Sequence, residues 1–274
     1  MHLLRKAFLL FACLTFATAV LSAQDGEQVQ SYNVHDYLQV APGNHADYLA
    51  LEKAWKKIHQ ANIAAGHYQY WELNRIVMPT GSSTEYNYVT RIVVRGEEKL
   101  AALLTGTHFG SDMAKLLTTE EKALFARTGE LRTYVKKEIY TVAHLLAPSE
   151  GFDDVTIAVH NTFTYPEGSN HATHLAMEKE IWDPVHAARM KDGALLGWVV
   201  ANKMMPSGAG EPFHDVTVDL YKDLPTFLAN RSPMDHFRQV HAGKDIDELM
   251  AQTIAAATLT HREVRQTLDT SRKE

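Results

Sequence analysis

The stretch WKKIHQANIAAGHYQYW, residues 55–71, decides the fold because it recurs as WDPVHAARMKDGALLGW at residues 182–198. Its tryptophans, histidine and glycine coincide when the chain is shifted by 127 residues. The agreement continues outward: Met78-Pro79-Thr80-Gly81 matches Met205-Pro206-Ser207-Gly208, and His35 matches His160 at an offset of 125. A repeat of this length predicts a duplicated domain rather than a short solenoid unit.

The first 23 residues read as a secretory signal peptide. A positive start at Arg5-Lys6 precedes an apolar run that ends at Leu21, and small residues follow. We expect cleavage after Ala23, with Ala19 as the alternative site. Cys13 follows a stretch that loosely resembles a lipobox, so a lipid anchor is the alternative to a soluble secreted or periplasmic protein.

The composition narrows the classes of partner. The chain carries 27 Lys and Arg against 33 Asp and Glu, and two of the basic residues belong to the signal segment. An acidic chain without a basic cluster is a poor binder of nucleic acid or anionic membranes. Cys13 is the single cysteine, so a mature chain has no disulfide, thiolate nucleophile or Cys-ligated zinc. No later run approaches the about 18 apolar residues of a transmembrane helix.

Periodicity in the first half predicts the order β-α-β-β-α-β. Strand-like alternation and helical stripes are separated by turn residues such as Pro42-Gly43 and Pro79-Thr80-Gly81-Ser82. The predicted strands are Val34–Val40, Tyr68–Met78, Tyr86–Val94 and Lys137–Leu145, and the predicted helices are Asn44–Ala65, Glu97–Leu104 and Thr119–Thr128.

The second half repeats this order after a linker at Pro148-Ser149-Glu150-Gly151. Its predicted strands are Thr156–Thr164, Leu195–Met204, Val216–Tyr221 and Arg262–Leu268, and its predicted helices are His171–Lys191, Pro225–Leu228 and Asp245–Ala257. The stretch Asn230–Lys244 has no clear period, and we expect a loop there. The domain prediction is therefore a signal peptide at 1–23, a first ferredoxin-like repeat at 32–147 and a second at 155–269.

Each ferredoxin-like sheet carries helices on one face only, so its other face must be covered. Two such sheets in one chain can face each other and close an α+β barrel without a partner chain, although a homodimer stays open. The chain resembles the dimeric α+β barrel superfamily in tandem form. This resemblance depends on the repeated element order, on the Met-Pro-x-Gly turns, and on the run Glu52, Trp55, His59, Gly66, Trp71 with its copy Glu178, Trp182, His186, Gly193, Trp198.

The resemblance spans about residues 32–269 and extends to uncharacterised exported bacterial proteins, for which it implies a fold and no settled activity. Better-known members of the superfamily include small monooxygenases, haem-degrading enzymes, chlorite dismutase-like haem proteins and stress-response barrels. No motif in this chain is specific to any of them, so no cofactor is assigned and catalysis stays an open question.

Strand alternation predicts which side chains point between the sheets. In the first strands it directs His35 and His160 inward, and in the last strands it places Glu138 and Glu263 on one face. In the third strands we assign Val89 and Val216 to the helix face, which sends Tyr88 and Thr90, and Asp215 and Thr217 in the copy, inward. The second strand leaves two choices: Tyr70, Glu72 and Asn74 inward, or Trp71, Leu73 and Arg75.

These inward residues form the candidate ligand site, because imidazoles and carboxylates bind ligands or serve as acid and base near neutral pH. The alternative interpretation is a set of hydrogen-bonded core groups inherited by duplication. His59 and His186, one helical turn after a tryptophan, are interpreted as structural. His171, His174 and Glu178 have a spacing that could bind metal on a helix, but the first half has no matching triplet, so we assign no metal.

The sequence therefore predicts an exported soluble α+β barrel that binds a small, partly apolar molecule between its sheets. The first alternative is a haem- or metal-dependent oxidative enzyme of the monooxygenase kind. The second alternative is a non-catalytic oligomerisation module.

Overall fold

The computed structural model describes residues 29–81, 84–108, 113–147 and 151–272. The predicted signal peptide, Cys13 and most of the predicted linker lie outside these residues. Among the helices described, none is long and apolar enough to cross a membrane.

The first half has the predicted order. Its strands are β1 (Ser31–Gln39), β2 (Tyr70–Met78), β3 (Tyr88–Arg95) and β4 (Thr133–Leu146). Its helices are α1 (His45–Ala64), α2 (Glu97–Thr105), α3 (Thr119–Ala126) and α4 (Thr128–Leu131), with a 3₁₀ turn at Met113–Leu116. α3 begins with a capping box between Thr118 and Glu121, which explains its start.

The second half repeats this order with more helices. Its strands are β5 (Ile157–Thr164), β6 (Gly197–Met205), β7 (Asp215–Tyr221) and β8 (Thr258–Arg272). Its helices are α5 (His171–Met177), α6 (Asp183–Lys191), α7 (Leu224–Ala229), α8 (Met234–Val240) and α9 (Ile246–Ala256). A π-helical turn at Glu178–Trp182 joins α5 to α6. The prediction of a loop over Asn230–Lys244 was wrong, because Phe237 buries α8 against α6 and the π turn.

Eight antiparallel strands close into one barrel with the order β1-β3-β2-β8-β5-β7-β6-β4. Within each half the order is that of a ferredoxin-like sheet, and the two sheets join where β2 pairs with β8 and β4 pairs with β6. The prediction of two ferredoxin-like sheets that face each other within one chain is confirmed. Full closure leaves no edge unpaired among the eight strands described.

The repeated tryptophans and histidines pack alike outside the barrel. His59 stacks on Trp71 with ring centroids 4.7 Å apart, and His186 stacks on Trp198 at 4.5 Å. Both tryptophans are fully buried between a helix and the sheet. Burial lowers the pKa of His59 to about 3 and the pKa of His186 well below its usual value, so both imidazoles are neutral. Their packing agrees with the structural interpretation.

Candidate functional site

The barrel interior receives the imidazoles and carboxylates that strand alternation sends there. In the strand register, His35 lies opposite Glu138, and His160 lies opposite Glu263. The His35 and His160 rings meet near the middle of the barrel, with centroids 6.0 Å apart. The two halves thus contribute equivalent pairs to one space between the sheets.

Three predicted site residues point the other way. Tyr88 packs on the α1 side, where its hydroxyl lies 3.1 Å from His45 Nδ1, and Thr90 shares that face of β3. Thr217 accepts a hydrogen bond from Asn161 on the helix side of the second sheet. Asp215, also expected inward, lies on that side as well, 2.8 Å from His174 of α5. The interior instead receives Val89 and Val216. Valine failed as a marker of the helix face because a closed barrel buries both faces of its sheet.

The open choice in the second strand is resolved in favour of the polar set. Trp71 and Leu73 belong to the core under α1, so the alternate residues face the interior. There Glu72 accepts two hydrogen bonds from Arg91, at 2.9 and 3.0 Å, and one from Tyr70 at 2.8 Å. Arg91 also donates to Asn33 at 2.9 Å.

A cavity of about 280 Å³ opens from the interior at the end of the barrel where β4 and β8 begin. Exposed residues surround its mouth, and aromatic, aliphatic and charged side chains form its walls. The mouth residues are Glu85, Pro212, Thr260 and His261, and the wall residues are Tyr37, Tyr86, Lys136, Glu138, Tyr140, His160, Thr162, Phe213, Val216, Glu263 and Arg265.

Both carboxylates in the wall are already satisfied. Glu138 accepts a hydrogen bond from the Tyr140 hydroxyl at 2.5 Å and faces the Lys136 ammonium at 3.3 Å. Burial would raise the pKa of Glu138, but these donors outweigh it and hold the pKa below its usual value. Glu263 accepts from the Tyr86 hydroxyl at 2.7 Å and from Arg265 at 2.5 Å. Neither carboxylate is left as an unpaired buried charge.

The two central imidazoles differ in their partners. Arg265 reaches His35 Nδ1 at 3.3 Å, and the Tyr140 ring packs on His35 with centroids 4.8 Å apart. His160 lines the cavity, and no described residue forms a hydrogen bond with its imidazole. Burial, reinforced by the charge of Arg265, lowers the pKa of both histidines well below the usual value. His160 is therefore a neutral imidazole with a donor and an acceptor open to the cavity.

A second polar cluster lies outside the barrel, between α5 and the second sheet. His174 is fully buried, with Nδ1 2.8 Å from Asp215 and Nε2 3.0 Å from Glu178. His171 Nδ1 lies 2.9 Å from the same aspartate. Because carboxylates occupy both nitrogens of His174, the spacing noticed in the sequence produces an ion-pair cluster. No group of three or more His, Cys, Asp or Glu among the described residues is arranged to hold a metal ion.

The fold is similar to that of solved structures. No family model matches the chain, and no curated protein does. A protein of Fusobacterium nucleatum provisionally named a monooxygenase superposes with a TM-score of 0.52, 12% identity and coverage of 89% of this chain and 95% of that one. An anthrone oxidase-like protein superposes with a TM-score of 0.50 and 14% identity, over 90% of this chain and 94% of that one. The chain shares the α+β barrel fold of these two proteins. A haem-binding protein of Thermus thermophilus superposes with a TM-score of 0.48 and 11% identity, over 88% of this chain and 92% of that one.

At these identities the likeness shows the fold alone, so a cofactor must be judged from the residues present. The α+β barrel cavity, at about 280 Å³, lies just below the roughly 300–1,000 Å³ that enclose drug-sized ligands. A tetrapyrrole needs more room than this cavity gives, and the buried charged side chains of Glu138, Glu263 and Arg265 form part of its wall. The barrel interior therefore does not fit haem.

Several wall residues were missed as site residues by the sequence interpretation. Lys136 and Tyr140 flank Glu138 at two-residue spacing, and Arg265 follows Glu263 by two, so the same alternation would have found them. Tyr86 and Phe213 lie before their strands begin, in segments without alternation. No comparable signal marks those two residues in the sequence.

Proposed function

We propose that the barrel binds one small, partly apolar molecule and that His160 forms the hydrogen bond that recognises its polar end. The observation that carries this proposal is the unpaired His160 imidazole in the cavity wall. His160 is half-buried, and a hydrogen bond to a ligand hydroxyl or carbonyl there would contribute about 0.5–1.5 kcal/mol. Phe213 and Val216 offer an apolar surface beside it.

The depressed pKa of His160 favours binding over proton abstraction. Burial and the Arg265 charge lower that pKa, so the protonated imidazole is strongly disfavoured. A group of this kind accepts a hydrogen bond well but is a poor base at neutral pH, where an efficient base has a pKa near the working pH. The same shift keeps His160 neutral, and therefore able to accept, across the physiological range.

The test is a titration of the protein with 4-nitrophenol, a small planar probe with one hydroxyl. We expect one binding site, and we expect His160→Ala to weaken binding about tenfold, the cost of one lost hydrogen bond of about 1.4 kcal/mol. The matched control is His35→Ala at the equivalent position. It should lower the melting temperature, since Arg265 loses a partner, while the folded protein keeps its affinity. Equal losses of affinity in both variants would contradict the proposal.

An oxidative enzyme is the second candidate, supported by the names of the two solved structures that share the fold. Its test is oxygen uptake by the purified protein with anthrone, the compound in one of those names. Faster uptake with the wild-type protein than with His160→Ala would favour catalysis. Equal uptake with both would leave the binding role.

Export belongs to the proposal as well. The apolar segment that ends at Leu21, followed by Ser22-Ala23, supports a secreted or periplasmic location. N-terminal sequencing of the protein from the producing cells should give a mature chain that begins near Gln24. A lipid-modified Cys13 would contradict this.

A further inference from the structure

The two halves of the barrel are equivalent in register, yet His160 is among the residues that line the cavity and His35 is not. Tyr37 lies opposite Lys136 in the first half, and Thr162 lies opposite His261 in the second. Tyr37 and Thr162 each follow a central histidine by two residues, so they occupy equivalent places. The first half has a large aromatic side chain where the second half has a small one.

In the first half the Tyr37 ring fills its surroundings. It packs edge-on against Tyr86 with centroids 4.6 Å apart, and it forms a cluster with Val89 and Ile76. The Lys136 ammonium lies over the same ring, 4.7 Å from its centroid. Tyr37 is only 2% exposed, so little space remains around it.

In the second half the corresponding residues line the cavity. Phe213 and Val216, the counterparts of Tyr86 and Val89 at an offset of 127, form a wall of the cavity. Thr162 is on the same wall, but its hydroxyl lies 3.1 Å from the Thr260 hydroxyl, at the mouth. A threonine cannot span the gap that the tyrosine ring spans in the other half.

A second difference between the halves fixes the asymmetry. Arg265 is the counterpart of Tyr140 at an offset of 125. It donates to the Tyr37 hydroxyl at 3.3 Å and also reaches His35 at 3.3 Å. The Tyr37 hydroxyl lies 3.3 Å from that of Tyr140. The side chain that fills the first half is thus held by residues of both halves.

We propose that the barrel contains two equivalent pockets, of which Tyr37 fills the one at His35 while Thr162 leaves the one at His160 open. This inference rests on the proposed function, and it makes Thr162 and Tyr37 the residues that set ligand size and stoichiometry. One ligand binds per chain, beside Phe213 and away from the axis that relates the two halves. The cavity is therefore a product of divergence after duplication.

The test measures how accessible His35 and His160 are to a small reagent, without any ligand. Diethyl pyrocarbonate acylates neutral imidazoles, and peptide mapping by mass spectrometry distinguishes His35 from His160. In the wild-type protein we expect modification of His160 and protection of His35. Thr162→Tyr should protect His160, while Thr162→Val, which keeps the volume, should not. Tyr37→Thr should expose His35, while the control Tyr37→Phe should leave it protected.

A reactive His160 in folded Thr162→Tyr, or a wild-type His35 that reacts as fast as His160, would overturn the inference. If Tyr37→Thr does not fold, Thr162→Tyr decides alone, because it tests the same packing from the other half. Titration with 4-nitrophenol separates the two proposals. If the reactivity pattern holds but the probe does not bind, the binding proposal fails, while the assignment of one filled and one open pocket stands. If both hold, Tyr37→Thr should bind two probes per chain.

Discussion

Each half of the molecule buries one glutamate between its first long helix and its sheet, and the two halves neutralise that charge differently. Glu52 is 2% exposed and pairs with Arg132, the residue just before β4. The distance from Arg132 Nη1 to Glu52 Oε1 is 2.5 Å. Glu178 is 4% exposed and pairs with His174 of its own helix at 3.0 Å. The counterpart of Arg132, 125 residues on, is Ala257.

The first half uses Arg132, which is always charged, whereas the second half uses His174, which is a cation at neutral pH because its surroundings raise its pKa. Burial would lower the pKa of His174, but hydrogen bonds to Asp215 and Glu178 outweigh burial and raise the pKa to about 9. Bonds from His171, His174 and Asn202 hold the pKa of Asp215 well below its usual value despite burial. In the first half, Tyr48 and Tyr88 stand at the positions equivalent to His174 and Asp215. Their ring centroids lie 4.6 Å apart. Of these two clusters, the one in the second half therefore depends on a proton at neutral pH.

The helices differ by one residue at the same place. Glu52 precedes Trp55 by three residues, whereas Glu178 precedes Trp182 by four. The π-helical turn at Glu178–Trp182 accommodates the additional residue, so that both glutamates and both tryptophans keep their places. This turn explains why the repeat offset grows from 126 to 127 within the helix.

The largest expected effect comes from the permanent cation. Arg132→Met should lower the free energy of unfolding by about 3–5 kcal/mol, since Glu52 would stay buried without its partner. The pKa of Glu52 is already raised by burial, which Arg132 partly offsets. Without Arg132 that pKa rises further, so the variant should lose additional stability as the pH rises above about 4.5.

Urea denaturation at several pH values measures both effects. The control is Arg127→Met, because Arg127 pairs with Asp47 and Glu130 at the surface, where solvent screens an ion pair and little stability depends on it. Similar losses in the two arginine variants would show that burial of Glu52 does not govern the pair.

The next effect distinguishes the two halves by pH. His174 has a raised pKa, so its stabilising effect is complete below the unfolded value of about 6.5 and is lost as the pH rises towards 9. Wild-type stability should fall by about 1.4 kcal/mol for each pH unit in that window. His174→Gln should remove this slope and cost on the order of 2–3 kcal/mol at neutral pH, since two buried carboxylates lose a charged donor.

Denaturation between pH 6 and 9 measures the slope. Tyr48→Phe, at the equivalent position of the first half, is the matched control and should keep the wild-type slope. A slope that survives in His174→Gln would assign the titration to another group.

The fold could be predicted from the sequence because rare residues recur in order and turn residues separate the elements. His35, His160, Glu138 and Glu263 also reached the interior as strand alternation predicted. The π turn was not predicted, since one additional residue within an apolar stripe leaves the helical period almost unchanged.

The candidate site was only half predictable. Alternation treats His35 and His160 alike, because it reads neighbours along a strand. What separates them is Arg265, which lies 230 residues from His35 and contacts it across the barrel. Tyr88, Thr90 and Thr217 were misplaced for a related reason: an apolar neighbour does not tell which face of a strand is the interior when both faces are buried.

A smaller effect is expected where the π turn meets the rest of the second half. His241 is 3% exposed, and its Nε2 donates to the Ile181 carbonyl at 3.0 Å, within that turn. His241→Phe keeps a ring against Phe237 but leaves the carbonyl without this donor, so it should cost about 1–2 kcal/mol. His236→Phe is the control on the same helix, because His236 pairs with an exposed aspartate. Equal melting temperatures for the two variants would contradict the role of His241.

The smallest expected effect comes from removing the additional residue itself. Lys179 is exposed, and its deletion would make the spacing from Glu178 to Trp182 equal to that from Glu52 to Trp55. An α-helix then carries both side chains at the places they occupy in the first half. The gain of regular helix and the loss of the His241 contact oppose each other, so the net change should stay below about 1 kcal/mol. Thermal unfolding measures this, with Lys179→Ala as the control that keeps the chain length. A loss above about 3 kcal/mol, of the size caused by core disruption, would mean that the turn is required to place His174 and Glu178, and that the two helices are not interchangeable.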